Sequence, residues 1–166
     1  MRRFVAGVAL FAAGVGVGVY FMQPSAAQQT PSAGLRLNHV GIYVADFEKS
    51  LRYYTQTLGF REAFTIRGAD GEPTLAYLHV TRDTFLELAP ASTERPVGVS
   101  HIAFWPENLD AALTTLRGRG IEIADPRTGS TGTRITNMTD PDGVRLELVD
   151  FTPGSAPQKA IDSYRP

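Results

Sequence analysis

From Asn38 onward, apolar and polar or small positions alternate with a period of two. Val40, Ile42 and Val44 fall on one face of an extended segment, and His39, Gly41 and Tyr43 on the other. The period then lengthens. Phe47, Leu51, Tyr54 and Leu58 recur at helical spacing between Asp46 and Gly59, which predicts an amphipathic helix with these four on one face. The same change of period occurs again 62 positions further on. Ile102 and Phe104 alternate with His101, Ala103 and Trp105, and a second helix follows with Asn108 as its N-cap. Leu109, Leu113 and Leu116 share one face of that helix, and Gly118 and Gly120 close it.

Each half finishes in a strand containing Leu-Glu-Leu, first Leu86-Glu87-Leu88 and then Leu146-Glu147-Leu148. His39 precedes Glu87 by 48 positions and His101 precedes Glu147 by 46, so order and spacing are those of an internal repeat. Between helix and final strand each half has room for two more strands. In the first half these are expected near Phe60–Ile66 and Thr74–Val80, joined by the turn-like Gly68-Ala-Asp-Gly71. In the second they are expected near Ile121–Ala124 and Thr133–Met138, with the Gly/Thr-rich loop Thr128–Gly132 between them, and Asp140-Pro-Asp-Gly143 turns the chain into the last strand. The expected fold class is α+β, two βαβββ modules over residues 36–90 and 97–152, with Pro90–Pro96 as linker. The tail, 153–166, is proline-bounded and carries one short helix around Ala160–Tyr164.

Strand alternation puts His39, Glu87, His101 and Glu147 on the sheet face turned away from the helices, because the leucines beside each glutamate point toward them. If the two halves curl about a pseudo-two-fold axis, these four side chains converge. Two ionised carboxylates on a buried strand face are costly unless something compensates them, and a divalent cation does so directly. The chain has no cysteine, which excludes disulfides, thiolate–metal sites and Cys nucleophiles, so any metal must be held by His and carboxylate. Imidazole with carboxylate suits one Ni, Co, Zn, Mn or Fe ion, and four protein ligands beside open positions make a catalytic rather than a closed structural site. His79 has no counterpart in the second half and is read as a strand-face residue without a metal role. Tyr43, Phe85 and Trp105 share the inner face, where they line a pocket or fill core.

The N-terminus is a different kind of sequence. Arg2 and Arg3 precede an uncharged stretch from Phe4 to Met22, and Pro24-Ser-Ala-Ala27 follows. This reads as a secretory signal cut after Ala27, or as an uncleaved membrane anchor weakened by its four glycines. Both readings export the folded part to the periplasm or the extracellular space. A polar linker, 28–35, then leads into the first strand. Without Arg2 and Arg3 the 16 basic residues become 14 against 17 acidic ones, about −3, so no basic face is implied and nucleic acid is excluded as a partner.

Asn38-His-Val-Gly-Ile-Tyr-Val-Ala-Asp46, Tyr53-Tyr54, Leu58-Gly59-Phe60, Ser100-His-Ile-Ala-Phe104 and Asp140-Pro-Asp-Gly-Val-Arg-Leu-Glu147 resemble the vicinal oxygen chelate superfamily. That superfamily includes glyoxalase I, methylmalonyl-CoA epimerase, extradiol dioxygenases and the bleomycin- and fosfomycin-resistance proteins. The resemblance implies a half-open barrel of paired βαβββ modules around a metal, commonly in a homodimer. It places the metal ligands on His39, Glu87, His101 and Glu147, with Glu87 or Glu147 also moving a proton. The implied function is a glyoxalase I-like lyase or isomerase acting on a small carbonyl or α-hydroxycarbonyl compound. No set of Arg and Asn residues for a glutathione carboxylate is legible, which leaves the substrate open. Two rivals remain: an extradiol-type dioxygenase with Fe(II) on His39, His101 and Glu147, and a non-enzymatic protein that sequesters a small molecule such as an antibiotic.

Overall fold

The computed structural model describes residues 33–165. The signal or anchor expected over 1–27 lies outside the described residues, as does the linker up to residue 32. Among the described residues no helix is long and apolar enough to cross a membrane. The first module runs β1 (Leu35–Val44), α1 (Phe47–Arg52), β2 (Arg61–Arg67), β3 (Pro73–His79) and β4 (Phe85–Pro90). The second runs β5 (Gly98–Pro106), α2 (Leu109–Gly118), β6 (Arg127–Thr128), β7 (Arg134–Thr139) and β8 (Arg145–Asp150), and α3 (Ala156–Ser163) follows. The expected α+β architecture of two βαβββ modules is present.

All eight strands form one sheet in the order β2-β3-β4-β1-β5-β8-β7-β6, curled into a half-barrel. Within each module the first strand pairs parallel with the last: β1 with β4 and β5 with β8. The modules join through the antiparallel β1–β5 pair, so the first strand of each becomes central.

The helices form for the reasons their sequences suggest. The Asp46 carboxylate accepts from the Lys49 backbone N–H and starts α1; Asn108 does the same for the Ala111 N–H and starts α2. Leu109, Leu113 and Leu116 are buried with Leu148 of β8, each contributing about 1.5–3 kcal/mol relative to exposure. Phe47 packs with Val44, Ala76, Leu78 and Leu88 under α1. A third cluster, Tyr77, Phe85, Ala103, Val149, Phe151 and Ile161, fills part of the opposite face, with Ile161 coming from α3.

Three local expectations are corrected. Leu58 does not share the buried face of the first helix but is exposed, because the chain leaves α-geometry for a π-turn over Tyr53–Thr57. The i→i−5 bond from Leu58 N–H to Tyr53 C=O (3.1 Å) widens that turn, and Phe60 packs against the cluster under the helix instead. The strand expected at Ile121–Ala124 is not formed; the short β6 comes later, at Arg127–Thr128. Side chains take the carbonyls that a ladder would need: Arg117 donates to Ile123 C=O (3.0 and 3.2 Å) and the Thr136 hydroxyl to Ala124 C=O (2.8 Å). The C-terminal helix starts at Ala156 rather than near Ala160, since Ser155 caps it and Pro157 suits its first turn.

Candidate metal centre

Two rows of residues cross the middle of the sheet on the face opposite α1 and α2. In one row, strand pairing sets Tyr77 beside Glu87, Glu87 beside Gly41, and Gly41 beside His101. In the other it sets Phe85 beside His39, His39 beside Ala103, Ala103 beside Glu147, and Glu147 beside Asn137. The rows are two residues apart along β1, about 7 Å. Each histidine thus faces a small residue of the other module, and that small residue is flanked by its own module's glutamate. Gly41 is required here: a Cβ on it would lie 2.3 Å from His101 Cε1 and 2.6 Å from Ser100 Oγ.

All four expected ligands come together within one chain. His39 Nε2 lies 2.9 Å from His101 Nε2, 3.6 Å from Glu87 Oε2 and 3.9 Å from Glu147 Oε1. His39, Glu87 and His101 each offer a ligand atom, all within 4.8 Å of one another. Glu147 stands slightly apart, with its Oε2 accepting from Arg145 Nη2 at 3.2 Å. His39 is fully buried, and the other three are largely so.

Both rings are oriented from behind. Asn38 donates its Nδ2 to the Asp83 carbonyl (2.9 Å), so its Oδ1 accepts from His39 Nδ1–H (2.8 Å) and leaves the His39 Nε2 lone pair directed at the centre. His101 Nδ1 meets the Ser100 hydroxyl at 2.8 Å, a partner that can either donate or accept. The Tyr77 hydroxyl bonds Glu87 and lies 3.3 Å from His39 Nε2. Burial, followed by the positive influence of His101 and Arg145, holds His39 well below the usual imidazole range. Burial and then Arg145 push His101 down to about 4. Both imidazoles are therefore neutral and competent as ligands. Burial raises Glu87, an effect opposed by Tyr77 and Arg145. Burial and the neighbouring Glu87 push Glu147 up to about 7, against the pull of Arg145 and Arg127.

This donor set fits a borderline divalent cation. Two neutral imidazole nitrogens and two crowded carboxylates converge on one point, and a cation would relieve the desolvation that raises both glutamates and the repulsion from Glu87 that adds to it at Glu147. A cavity of about 250 Å³ opens directly onto Glu87, His101 and Glu147. Tyr43 also lines it, whereas Phe85 and Trp105 pack in or against the aromatic core cluster. His79 stays away from the centre: its ring stacks against Phe85 and Tyr164, and Nδ1 bonds the Thr81 carbonyl at 3.1 Å.

Asn38, Ser100, Tyr77, Arg145, Arg127 and the small residues Gly41 and Ala103 belong to the site, yet sequence reasoning did not single them out. A signal existed for four of them. Each histidine is preceded by a short polar residue and followed two positions later by a small one, in both modules. Tyr77, Arg145 and Arg127 become visible only through strand register.

Residues 36–148 match the model of the Glyoxalase/Bleomycin resistance protein/Dioxygenase superfamily, and the chain belongs to that family. The uncharacterised Bacillus subtilis protein YwkD is 35% identical over 123 residues, 69% of this chain and 95% of its own length. A probable lactoylglutathione lyase of Vibrio parahaemolyticus is 29% identical over 131 residues, 73% of this chain and 94% of its own. Among solved structures, methylmalonyl-CoA epimerase from Mycobacterium tuberculosis superposes with a TM-score of 0.63 at 27% identity, covering 76% of this chain and 95% of the epimerase.

Proposed function

We propose that this protein is a divalent-metal-dependent lyase or isomerase that moves a proton between neighbouring carbons of a small carbonyl or α-hydroxycarbonyl compound. The principal support is the convergence of His39, Glu87, His101 and Glu147 beside one cavity, each with its own orienting partner. Similar proteins named as a lyase and an epimerase favour this class. A bound cation would supply Lewis acidity, drawing electrons from the substrate carbonyl and acidifying the adjacent C–H. Glu147 would then take the proton from the carbon that bears the hydroxyl, the C–H electron pair moving toward the carbonyl, and return it to the former carbonyl carbon while the hydroxyl proton passes to the former carbonyl oxygen. Arg145 grips Oε2 and leaves Oε1 for the substrate. Glu87, bonded by the Tyr77 hydroxyl, stays a ligand, and Asn38 and Ser100 keep both imidazoles aimed. Export of the folded part and assembly as a homodimer belong to the same proposal.

A second reading is favoured by one observation. His39, His101 and Glu87 form a compact two-His-one-carboxylate set of the kind used by Fe(II) oxygenases, with Glu87 rather than Glu147 as the carboxylate. Metal content of the purified full chain separates the possibilities. About one transition-metal ion per chain, lost in His101→Ala and weakened in Glu87→Gln, together with deuterium uptake from solvent into an α-hydroxycarbonyl substrate, is the expected result. Bound iron with oxygen consumption would favour the oxygenase. No metal taken up from Ni, Co, Zn, Mn or Fe(II) would sink both and leave a small-molecule binder.

A further inference from the structure

We infer that the substrate of this site carries a carboxylate, as a small oxo- or hydroxy-acid derivative does, and that the Arg127 guanidinium receives it. This rests on the metal-dependent reading above and adds the substrate's charge.

The charged side chains lining the cavity are Glu87, Glu147, Arg127 and Arg145. Two carboxylates are thus already matched by two guanidinium groups, and an imidazole that ligates a metal is neutral. A divalent cation on the four ligands leaves the pocket with an excess of two positive charges. In a partly desolvated cavity such an excess is costly until an anion enters. A neutral carbonyl compound would leave it unmatched. A carboxylate-bearing compound offsets one of these charges on binding, and the later transfer of its C–H proton to Glu147 stays inside the pocket and leaves the total unchanged.

The two arginines are not equivalent. Arg145 is occupied, with Nε donating to Asn137 Oδ1 (2.9 Å) and Nη2 to Glu147. The Arg127 guanidinium makes no hydrogen bond or ion pair among the described residues, although it lines the cavity. It projects from β6, anchored through pairing with Ile135. Beside it, the hydroxyls of Ser130, Thr131 and Thr133 line the same wall. A Gly129 N–H to Thr133 C=O bond (2.8 Å) ties that loop down, and the Thr131 and Thr133 hydroxyls bond each other at 2.8 Å. A guanidinium with neighbouring hydroxyl donors is suited to a carboxylate. The volume, about 250 Å³, lies below the ~300–1,000 Å³ common for ligand pockets, which matches a short acid better than a long conjugate.

Hydroxamates test this, because their chelating end goes to the metal and leaves the other end to report on the wall. The full chain is first titrated with Co(II), and the loaded protein is then titrated calorimetrically with the monohydroxamates of malonic and succinic acid. Propionohydroxamate and butyrohydroxamate, which lack the carboxylate, are the comparison. The expected result is roughly tenfold or tighter binding of the carboxylated probes. That preference should be lost in Arg127→Gln and partly kept in Arg127→Lys, with the uncarboxylated probes unchanged. Arg127 is exposed in a two-residue edge strand, so both variants should fold, which thermal melting checks. Equal binding of both probe types, or a preference that survives Arg127→Gln, overturns the assignment alone. Failure to take up Co(II) overturns the metal reading and this inference with it.

Discussion

In the first module the histidine is tied to a carboxamide, itself fixed on a backbone carbonyl, and the glutamate is held by a phenol. In the second, the corresponding partners are a hydroxyl that can rotate and a guanidinium. The walls differ as well. The first module continues outward from the site through paired strands of six and seven residues. The second gives way to a two-residue strand and the loop that lines the cavity. One pattern of His and Glu therefore serves two ends. The first copy is built on neutral, single-state contacts that fix geometry. The second is built on charged and exchangeable contacts, and it supplies most of the cavity wall.

The sharpest way to break that comparison is to remove each histidine in turn. His39→Ala should abolish metal binding and also cost about 2–4 kcal/mol of stability, since it empties a fully buried site and strands the Asn38 carboxamide. His101→Ala should abolish metal binding but cost less, about 1–2 kcal/mol, because Ser100 can turn to another partner. Denaturant unfolding of the metal-free proteins measures both, and equal losses would erase the proposed asymmetry.

The next contrast is in pH. In the metal-free protein Glu147 titrates near 7 when folded, above its ordinary value of 4.5. Its protonated form is thus favoured by folding, and the associated stability is present below about 4.5 and lost as pH rises through 7. Glu147→Gln keeps the neutral shape, so it should match the wild type at pH 4.5 and exceed it at pH 8 by up to about 3 kcal/mol. His39 and His101 shift the other way, contributing stability above their unfolded value of 6.5 that is lost as pH falls. Subtracting the variant from the wild type cancels that contribution. A difference that does not change with pH would show that Glu147 is not strained by its surroundings.

Much of the fold was legible because the change from a two-residue to a helical period is written twice, and the convergence of two His and two Glu because each His-to-Glu interval is repeated. Leu58 was misplaced because hydrophobic spacing does not report the width of a turn, and the π-turn carries it outward. Ile121–Ala124 reads as a strand, yet whether a strand pairs depends on which donors reach its carbonyls, and here Arg117 and Thr136 arrive first. Tyr77 and Arg145 sit 10 and 2 positions from their glutamates with no spacing rule to mark them. Only the β3–β4 register and the side-chain reach along β8 make them neighbours of Glu87 and Glu147.

Two smaller effects sharpen the comparison further. Gly41 and Ala103 occupy equivalent places, but Ala103 carries a Cβ beside its histidine whereas a Cβ on Gly41 would strike the His101 ring. Gly41→Ala should cost about 1–3 kcal/mol and disturb metal binding, whereas Ala103→Gly should cost about 1 kcal/mol and leave the metal in place. Thermal melts with and without metal decide this. Last, Asn38→Ala should weaken metal affinity roughly 10- to 100-fold and Ser100→Ala less than about tenfold. Competition with a chelator of known affinity reads both, and a larger loss in Ser100→Ala would reverse the roles assigned to the two modules.

The order of strands in the sheet has a consequence for how the chain assembles. β1 and β5 are the first strands of their modules, but they occupy the centre of the sheet and pair with segments far along the chain: His39 with Phe85, and Gly41 with His101. The outer hairpin β2–β3 and the β7–β8 pair close short loops and can form early. The ligand residues all lie on the four inner strands, β4, β1, β5 and β8, whose parallel contacts must wait for most of a module to emerge. Any state in which the two halves have not yet met has half a set of ligands and no pocket. The four side chains therefore meet late in folding, and fraying of the outer strands would release Tyr77 and Arg127 from the cavity wall while leaving those four in place.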